Sequence, residues 1–221
     1  MRTVAIFFCA LGAVALANPP EKPPPTFRAG PTAIEMSDDT QPLINHAVDF
    51  LRKGDLAKAR TELEHVLKAA PNNAVALLNL GVVAYREKKL DEAETLLAKA
   101  VRSDPDLAQG WLILGVVRQD RDELDASLAA LAQAAWLDPK NARAHHYLGV
   151  TIGRKGWYSG AEEEMRKAIE LQPDYQEAHF NLAVFYLQRN PPAVELARRH
   201  YQKSLDLGGA PDAEVARALG E

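Results

Sequence analysis

The sequence predicts an all-α protein made of stacked helix pairs, and two periodic patterns support that prediction. Four prolines recur every 34 residues without insertion, namely Pro71, Pro105, Pro139 and Pro173. Small residues recur at the same spacing in two columns: Ala47, Gly81, Gly115, Gly149, Ala183 and Ala59, Ala93, Ser127, Ala161. A fixed period of this length is typical of repeat proteins, in which each helix pair buries its apolar face only against its neighbours.

Large apolar residues keep the same period. The columns are Leu80, Leu114, Leu148, Leu182 and Leu63, Leu97, Leu131, Met165. Small residues let two helices approach closely, and large ones fill the space between them. With the bulky residue before Leu-Gly and the closing proline, the pattern resembles the tetratricopeptide repeat (TPR), over roughly residues 40–207.

The resemblance implies a right-handed superhelical solenoid of about five TPR helix-turn-helix repeats with a short C-terminal capping helix. Repeats are predicted at 40–73, 74–107, 108–141, 142–175 and 176–210, with the cap at 211–221. The fifth repeat is irregular, because Asn190-Pro191-Pro192 resembles a two-residue insertion in its turn. We expect Asn190 to cap the following helix, and Ala197, Tyr201 and Ser204 to enter the packing columns. The segment from Asp212 to Leu219 is expected to cover the exposed core of the last repeat.

The N-terminus predicts export. Arg2 precedes an apolar stretch from Val4 to Leu16, which ends in small residues. This is the pattern of a signal peptide over residues 1–17, cleaved between Ala17 and Asn18. A membrane anchor is the rival interpretation, but a span needs about 20 apolar residues. We expect a periplasmic or extracellular protein of a bacterial envelope, with no membrane insertion after cleavage.

A proline-rich leader is predicted over residues 18–38. It carries Pro19, Pro20, Pro23, Pro24, Pro25 and Pro31. Such density prevents helix formation and favours polyproline II or disorder. Two interpretations stay open: the leader is a spacer, or it docks in an aromatic-lined groove, including this protein's own.

The sequence predicts neither catalysis nor a cofactor. The single cysteine, Cys9, lies inside the predicted signal peptide, which excludes disulfides and thiolate chemistry in the mature chain. Six histidines show no metal-binding spacing. One interpretation has His145 and His179, one period apart, facing each other across neighbouring repeats. No P-loop, dinucleotide fingerprint or Gly-x-Ser-x-Gly is present.

Charge argues against a nucleic-acid partner. The net charge is −4 at pH 7, and loss of Arg2 with the signal peptide makes it −5. Acidic and basic residues are mixed along the helices, without the basic stripe that binding to phosphates requires.

The resemblance places the first helix of each repeat on the concave face. One column there is valine in all five repeats, and residues three or four positions away share its face. The predicted groove residues are Ile44, Val48, Leu78, Val82, Tyr85, Leu112, Val116, Gln119, His146, Val150, Phe180, Val184 and Leu187. The valines either pack between adjacent first helices or line a trough for a partner, and both interpretations stay open.

The predicted function is a non-catalytic protein-interaction scaffold of the bacterial envelope. Its groove is expected to bind an apolar helix or extended peptide of a protein partner. One alternative is a self-associating structural protein, which makes a homo-oligomer possible. The other is an accessory subunit that recruits substrate to an envelope enzyme complex. Replacing Val116 and Val150 by Asp is predicted to remove binding and leave helicity largely intact.

Overall fold

The computed structural model describes residues 40–220, and this part of the chain is helical throughout, without strands. The predicted signal peptide and leader lie outside the described residues. The helices are α1 (Thr40–Lys53), α2 (Leu56–Ala69), α3 (Ala74–Arg86), α4 (Leu90–Ser103), α5 (Ala108–Asp120), α6 (Leu124–Leu137), α7 (Ala142–Arg154), α8 (Tyr158–Leu171), α9 (Gln176–Gln188), α10 (Val194–Asp206) and α11 (Ala213–Ala218).

These helices form two compact units. The N-terminal unit is residues 40–121, with α1 to α5, and the C-terminal unit is residues 122–220, with α6 to α11. In each unit, consecutive helices pack as pairs: α1 with α2, α3 with α4, α7 with α8 and α9 with α10. The small-residue columns lie in the cores, where Ala47, Ala59, Ala161 and Ala183 are fully buried. The all-α fold of TPR-type helix pairs is therefore confirmed.

The prolines that recur every 34 residues lie just beyond the ends of helices. Pro71 and Pro173 each lie two residues after the last residue of the preceding helix, α2 and α8. Proline is common just beyond a helix C-terminus because it cannot continue the helical hydrogen bonds. The first helix of the next repeat has a side-chain N-cap where an asparagine precedes it, as in α3 and α7. The side chains of Asn73 and Asn141 accept hydrogen bonds from the backbone N–H groups of Ala76 and Ala144.

The turn inside each of the first four helix pairs needs a left-handed residue. Gly54, Lys88, Asp122 and Gly156 are one period apart, and their φ angles are 78°, 63°, 62° and 81°. A side chain makes this conformation unfavourable, whereas glycine adopts it freely. Two of the four turns therefore carry a residue that the backbone does not favour.

We expect Lys88→Gly to raise the free energy of unfolding by about 1 kcal/mol, because it removes this backbone strain. Gly54→Ala should lower it by a similar amount. A Cβ at Gly54 would meet no atom within 4 Å, so its cost comes from the backbone alone. Thermal unfolding followed by circular dichroism measures both. Equal midpoints for the two variants would contradict this account of the turn.

The fifth helix pair corrects one detail of the sequence analysis. Helix α10 begins at Val194 with Ala193 at its N-cap, and no side chain caps it, so the expectation that Asn190 caps this helix is wrong. Ala197, Tyr201 and Ser204 are nevertheless buried.

The short last helix covers the end of the C-terminal unit, as predicted. Asp212 caps α11, and its side chain accepts from the N–H groups of Glu214 and Val215. Val215 and Leu219 are buried in the same cluster as Tyr201. Arg198 Nη2 donates to the Leu219 carbonyl at 2.7 Å, which attaches the end of the cap to α10.

Candidate partner-binding groove

In the N-terminal unit, the predicted groove residues lie on α1, α3 and α5. Only Val48, Val82 and Tyr85 keep part of their surface accessible. The Tyr85 hydroxyl donates to Asp120 Oδ2 at 2.8 Å, so one end of the α3 face is polar. The other predicted residues of this unit, Ile44, Leu78, Leu112, Val116 and Gln119, are buried.

In the C-terminal unit, the predicted residues lie on α7 and α9. Val150, Phe180 and Leu187 are partly exposed, and all three pack against the core of this unit. His146 and Val184 are buried.

The valine column is divided between buried and partly exposed positions. Val116 and Val184 are only 4% and 3% exposed and belong to the core. Val48, Val82 and Val150 are partly exposed. Whether a partner uses the accessible valines stays a prediction.

His146 forms a buried network with residues of α9 and the turn before it. Its Nε2 lies 2.9 Å from Asn181 Nδ2, and its Nδ1 lies 3.1 Å from the Tyr175 hydroxyl. An amide nitrogen can only donate, so Nε2 accepts and the ring proton sits on Nδ1. Nδ1–H therefore donates to the Tyr175 oxygen, and the imidazole is neutral.

Burial determines the protonation of this network. It lowers the pKa of His146 to about 3, with a smaller contribution from the Arg143 charge. It also raises the pKa of the Tyr175 phenol. Both groups are therefore uncharged at neutral pH, because the site disfavours charge. The cluster around His146 is thus neutral, enclosed and hydrogen-bonded.

Four arginines on the helices that carry the predicted groove residues are largely engaged within the protein. Arg52 pairs with Asp49 at 3.0 Å, and Arg86 donates to the Leu51 carbonyl at 2.8 Å. Arg154 pairs with Asp122 at 2.6 Å. Arg143 lies over the Tyr147 ring, 6.0 Å from its centroid. Three of these four cations are thus bound to oxygen atoms of their own unit.

Asn79 and Asn181 are buried on α3 and α9, three periods apart. Asn79 Nδ2 donates to the Val75 carbonyl at 2.9 Å, and Asn181 Nδ2 donates to His146. Both amide oxygens are buried without a hydrogen-bond partner. Each amide is thus held in place by the hydrogen bond that its Nδ2 donates.

His145 and His179 do not face each other, so that interpretation is wrong. Their Nε2 atoms lie 3.0 Å and 3.2 Å from the carbonyls of Pro139 and Pro173. Trp111, at the same column, donates Nε1–H to the Pro105 carbonyl at 2.8 Å. Histidine and tryptophan at this column thus make the same hydrogen bond to the carbonyl of the proline that follows the preceding helix.

The other nitrogen of each histidine meets a different partner. His145 Nδ1 pairs with Glu164 at 2.7 Å, and this carboxylate raises the pKa of His145. His179 Nδ1 lies 2.9 Å from His200 Nδ1, which occupies the position of Glu164 once the two-residue insertion is counted. Burial lowers the pKa of His179, and it lowers the pKa of His200 to about 4.

Sequence reasoning missed Tyr147 and Tyr175 beside His146. Tyr175 lies at the N-cap of α9, where the preceding first helices have Asn73, Leu107 and Asn141. Because the column changes residue type from each repeat to the next, periodicity gave no signal for a network at this position.

No helix within residues 40–220 is both long and apolar enough to cross a membrane.

Known proteins of similar sequence and structure agree with this architecture. The tetratricopeptide repeat model matches residues 44–108 and 153–214. A crystal structure of MamA is 28% identical, covers 73% of this chain and 93% of its own, and has a TM-score of 0.65. PilF of Pseudomonas aeruginosa is 21% identical, with coverage of 81% and 80% and a TM-score of 0.73.

YrrB, whose structure is described as a TPR protein with an unusual peptide-binding site, is 23% identical. The match covers 81% of this chain and 90% of YrrB, with a TM-score of 0.65. At these identities, PilF and YrrB show the fold alone. No protein with a curated description matches this sequence. The family model covers more than half of the chain, which therefore belongs to the tetratricopeptide repeat family.

Proposed function

We propose that this protein is a non-catalytic interaction scaffold that holds an apolar helix or extended peptide of a partner against its first helices. The observation that supports it is the repeated partial exposure of valine at one column: Val48 on α1, Val82 on α3 and Val150 on α7. Larger, partly exposed side chains are added by Tyr85 on α3 and by Phe180 and Leu187 on α9. Membership of a repeat family that generally binds proteins supports the same proposal.

Electrostatics favours an apolar ligand over an acidic one. Arg52, Arg86 and Arg154 are bound to oxygens of their own unit, and His146 is neutral. A ligand carboxylate would have to displace existing ion pairs, whereas an apolar side chain would only displace water.

The choice of test variant depends on burial. Val116 is 4% exposed, so Val116→Asp would place a carboxylate in the core and test folding instead of binding. Val82 and Val150 are partly exposed, and each lies in a different unit. The double variant Val82→Asp/Val150→Asp therefore probes the exposed valine of each unit.

We expect Val82→Asp/Val150→Asp to keep its helicity and to lose at least tenfold in partner affinity, because two carboxylates would be desolvated under an apolar ligand. The control is Thr61→Asp/Ser159→Asp, which adds the same charge to exposed positions of α2 and α8. Affinity capture from envelope extract identifies a partner, and titration of the purified partner measures the affinity. Equal affinity for folded wild type and groove variant would contradict the proposal.

We extend the proposal to location: the protein is exported to a bacterial envelope after cleavage between Ala17 and Asn18. The support is the charged start and apolar stretch of residues 1–17. Mass spectrometry of the protein expressed with its own N-terminus tests it. A mature chain that begins at Asn18 supports export, and an intact Met1 in the cytoplasm opposes it.

End-to-end stacking of copies is not favoured. On α1, His46 and Asp49 are exposed, whereas the same columns hold buried Leu80 and Val83 on α3. The outer face of α1 is thus polar, as is usual for a terminal repeat. At the other end, α11 covers the core through Val215 and Leu219.

A further inference from the structure

The first helices of the N-terminal unit share an accessible face. Val48 on α1 and Val82 and Tyr85 on α3 keep part of their surface accessible. Asp120, the last residue of α5, is exposed and accepts a hydrogen bond from the Tyr85 hydroxyl. Residues 18–39 lie outside the described residues and join this unit at Thr40, the first residue of α1. A segment of the same chain therefore ends on the helix that carries Val48.

The leader has a spacing that matches the spacing of these helices. Arg28, Pro31 and Ile34 stand at every third position. A polyproline II segment, which the leader's prolines favour, has three residues per turn and rises about 3.1 Å per residue. These three side chains therefore project from one side of it, about 9 Å apart. The axes of helices packed side by side are also about 8–10 Å apart.

We propose that residues 28–34 lie across this face of their own N-terminal unit and compete there with the partner. This inference rests on the proposed function, because the same face is proposed to hold the apolar segment of the partner. One side chain of the leader meets each first helix. The contacts are Ile34 with Val48 on α1, Pro31 with Val82 and Tyr85 on α3, and Arg28 with Asp120 on α5.

The leader is long enough to make the first of these contacts. Ile34 precedes Thr40 by six residues, and an extended chain covers up to about 20 Å over that length. Val48 lies eight helical residues after Thr40, which is about 12 Å along α1. The outer side of α1 offers less to an apolar side chain, because His46 and Asp49 are exposed there.

Charge complementarity fixes the other end of the segment. Arg28 is a cation, and Asp120 lies at the C-terminus of α5, where the helix dipole also favours positive charge. The neighbouring cation, Arg121, is already paired with Asp91 and Glu94. An exposed carboxylate and a helix C-terminus therefore both favour an arginine at this place.

The middle contact has the chemistry of known proline recognition. Grooves that bind proline-rich segments are lined by aromatic rings, and Pro31 would meet the Tyr85 ring. A weak contact is sufficient, because a short tether gives the leader a millimolar effective concentration. A segment that binds as a free peptide with a dissociation constant of about 1 mM would then occupy the face most of the time.

Cysteine labelling of the chain that starts at Asn18 tests the proposal, because this chain contains no cysteine. The reporter is Val82→Cys, and its reaction with N-ethylmaleimide is followed by mass spectrometry. We expect at least threefold faster labelling when Arg28→Ser/Pro31→Ser/Ile34→Ser is added, because the leader no longer covers the reporter. Equal rates with and without these leader changes would overturn the proposal.

Two controls make the result specific. Ala29→Ser/Thr32→Ser/Glu35→Ser changes another side of the same segment and should leave labelling of Val82→Cys slow. Thr61→Cys, exposed on α2, should react equally fast with every leader. Circular dichroism checks that all variants are folded. Labelling of Val82→Cys that slows as protein concentration rises from about 1 to 100 μM would assign the contact to the leader of a second copy and overturn the proposal.

Charge exchange tests the position of Arg28. In the Val82→Cys chain, Arg28→Glu should speed labelling, because it places a second carboxylate beside Asp120. Adding Asp120→Lys should slow labelling again, since the pair is then restored with its charges reversed. If Asp120→Lys does not restore protection against Arg28→Glu, the proposed contact between these two residues is wrong.

The leader contact and the proposed function fail separately. Protection of Val82→Cys by the leader, together with equal partner affinity in wild type and Val82→Asp/Val150→Asp, supports the leader contact and contradicts the proposed function. Loss of partner affinity in that groove variant, with no effect of the leader on labelling, contradicts the leader contact alone. If both hold, the Arg28→Ser/Pro31→Ser/Ile34→Ser chain should bind the partner at least threefold more tightly than the wild type.

Discussion

Gly153→Ala should destabilise the C-terminal unit by about 1–2 kcal/mol. A Cβ at Gly153 of α7 would lie 2.4 Å from Cε1 and 2.5 Å from Cζ of Phe185 on α9. Phe185 is 2% exposed, so its ring has no room to move away. Overpacking of this kind costs about 1–3 kcal/mol or more, which outweighs the gain of about 1 kcal/mol from replacing glycine in a helix. Urea denaturation followed by circular dichroism measures the loss.

A control and a rescue make this prediction specific. Gly160→Ala, on α8, is the control, because its Cβ would meet only Ile152 Cγ2 at 3.3 Å. It should be neutral or stabilise by up to about 1 kcal/mol. Phe185→Val in the Gly153→Ala background should recover part of the loss, because valine leaves room for the new methyl group. Additive losses in this double-mutant cycle would show that the two residues do not interact.

Acidification from pH 7 to pH 4.5 should lower the free energy of unfolding by on the order of 3 kcal/mol. His146 has an ordinary pKa of 6.5, and burial lowers it to about 3 in the folded protein. The unfolded chain therefore binds a proton from pH 6.5 downwards, whereas the folded chain does not. His179 and His200, with lowered pKa values, act in the same direction.

The interval between pH 6.5 and 4.5 isolates these histidines. The pKa of His145 is raised, so its stabilising pair with Glu164 is complete below pH 6.5 and weakens only as pH rises through the folded pKa. Burial alone would raise the pKa of Glu164, but hydrogen bonds from His145 and Lys167 outweigh it and lower the pKa. The pKa of Glu87 is also lowered, by Arg60 and then Lys89. Protonation of these carboxylates adds a further loss below about pH 4.5.

Urea unfolding at pH 7.5, 6.5, 5.5 and 4.5 measures the slope. His146→Gln should be less stable than the wild type at pH 7 but show a shallower loss on acidification, because the buried titrating group is gone. His65, exposed on α2, provides the control, since His65→Gln removes a histidine without touching the buried network. An unchanged slope in His146→Gln would show that this residue is not the source of the acid sensitivity.

Periodicity was sufficient to predict the helix pairs. The columns through Ala59, Leu63 and Gly81 repeat because each repeat packs against the next in the same way. The capping role of Val215 and Leu219 followed from their spacing of four residues beside an otherwise exposed core. The start of α10 was not predictable in this way, because the insertion at Asn190 interrupts the period. The period then no longer indicates which of the nearby residues is the N-cap.

The candidate groove was predicted less completely. Helical spacing places Val82, Val116 and Val150 on the same column, but it does not state how much of each neighbouring helix covers them. Val116 is buried whereas Val82 is partly exposed, although the 34-residue period gives both the same prediction. The two hydrogen-bond partners of His146 could not be predicted from the sequence either, because Tyr175 and Asn181 are 29 and 35 residues away along the chain.

The sequence by itself determined the repeat and the helix boundaries set by its prolines, because each is a local or periodic property of the chain. Only the tertiary structure decided which valines stay accessible, and that Arg52, Arg86 and Arg154 are bound to oxygens of their own unit. These properties depend on the sizes and charges of residues brought together from different repeats, and a periodic pattern does not contain that information.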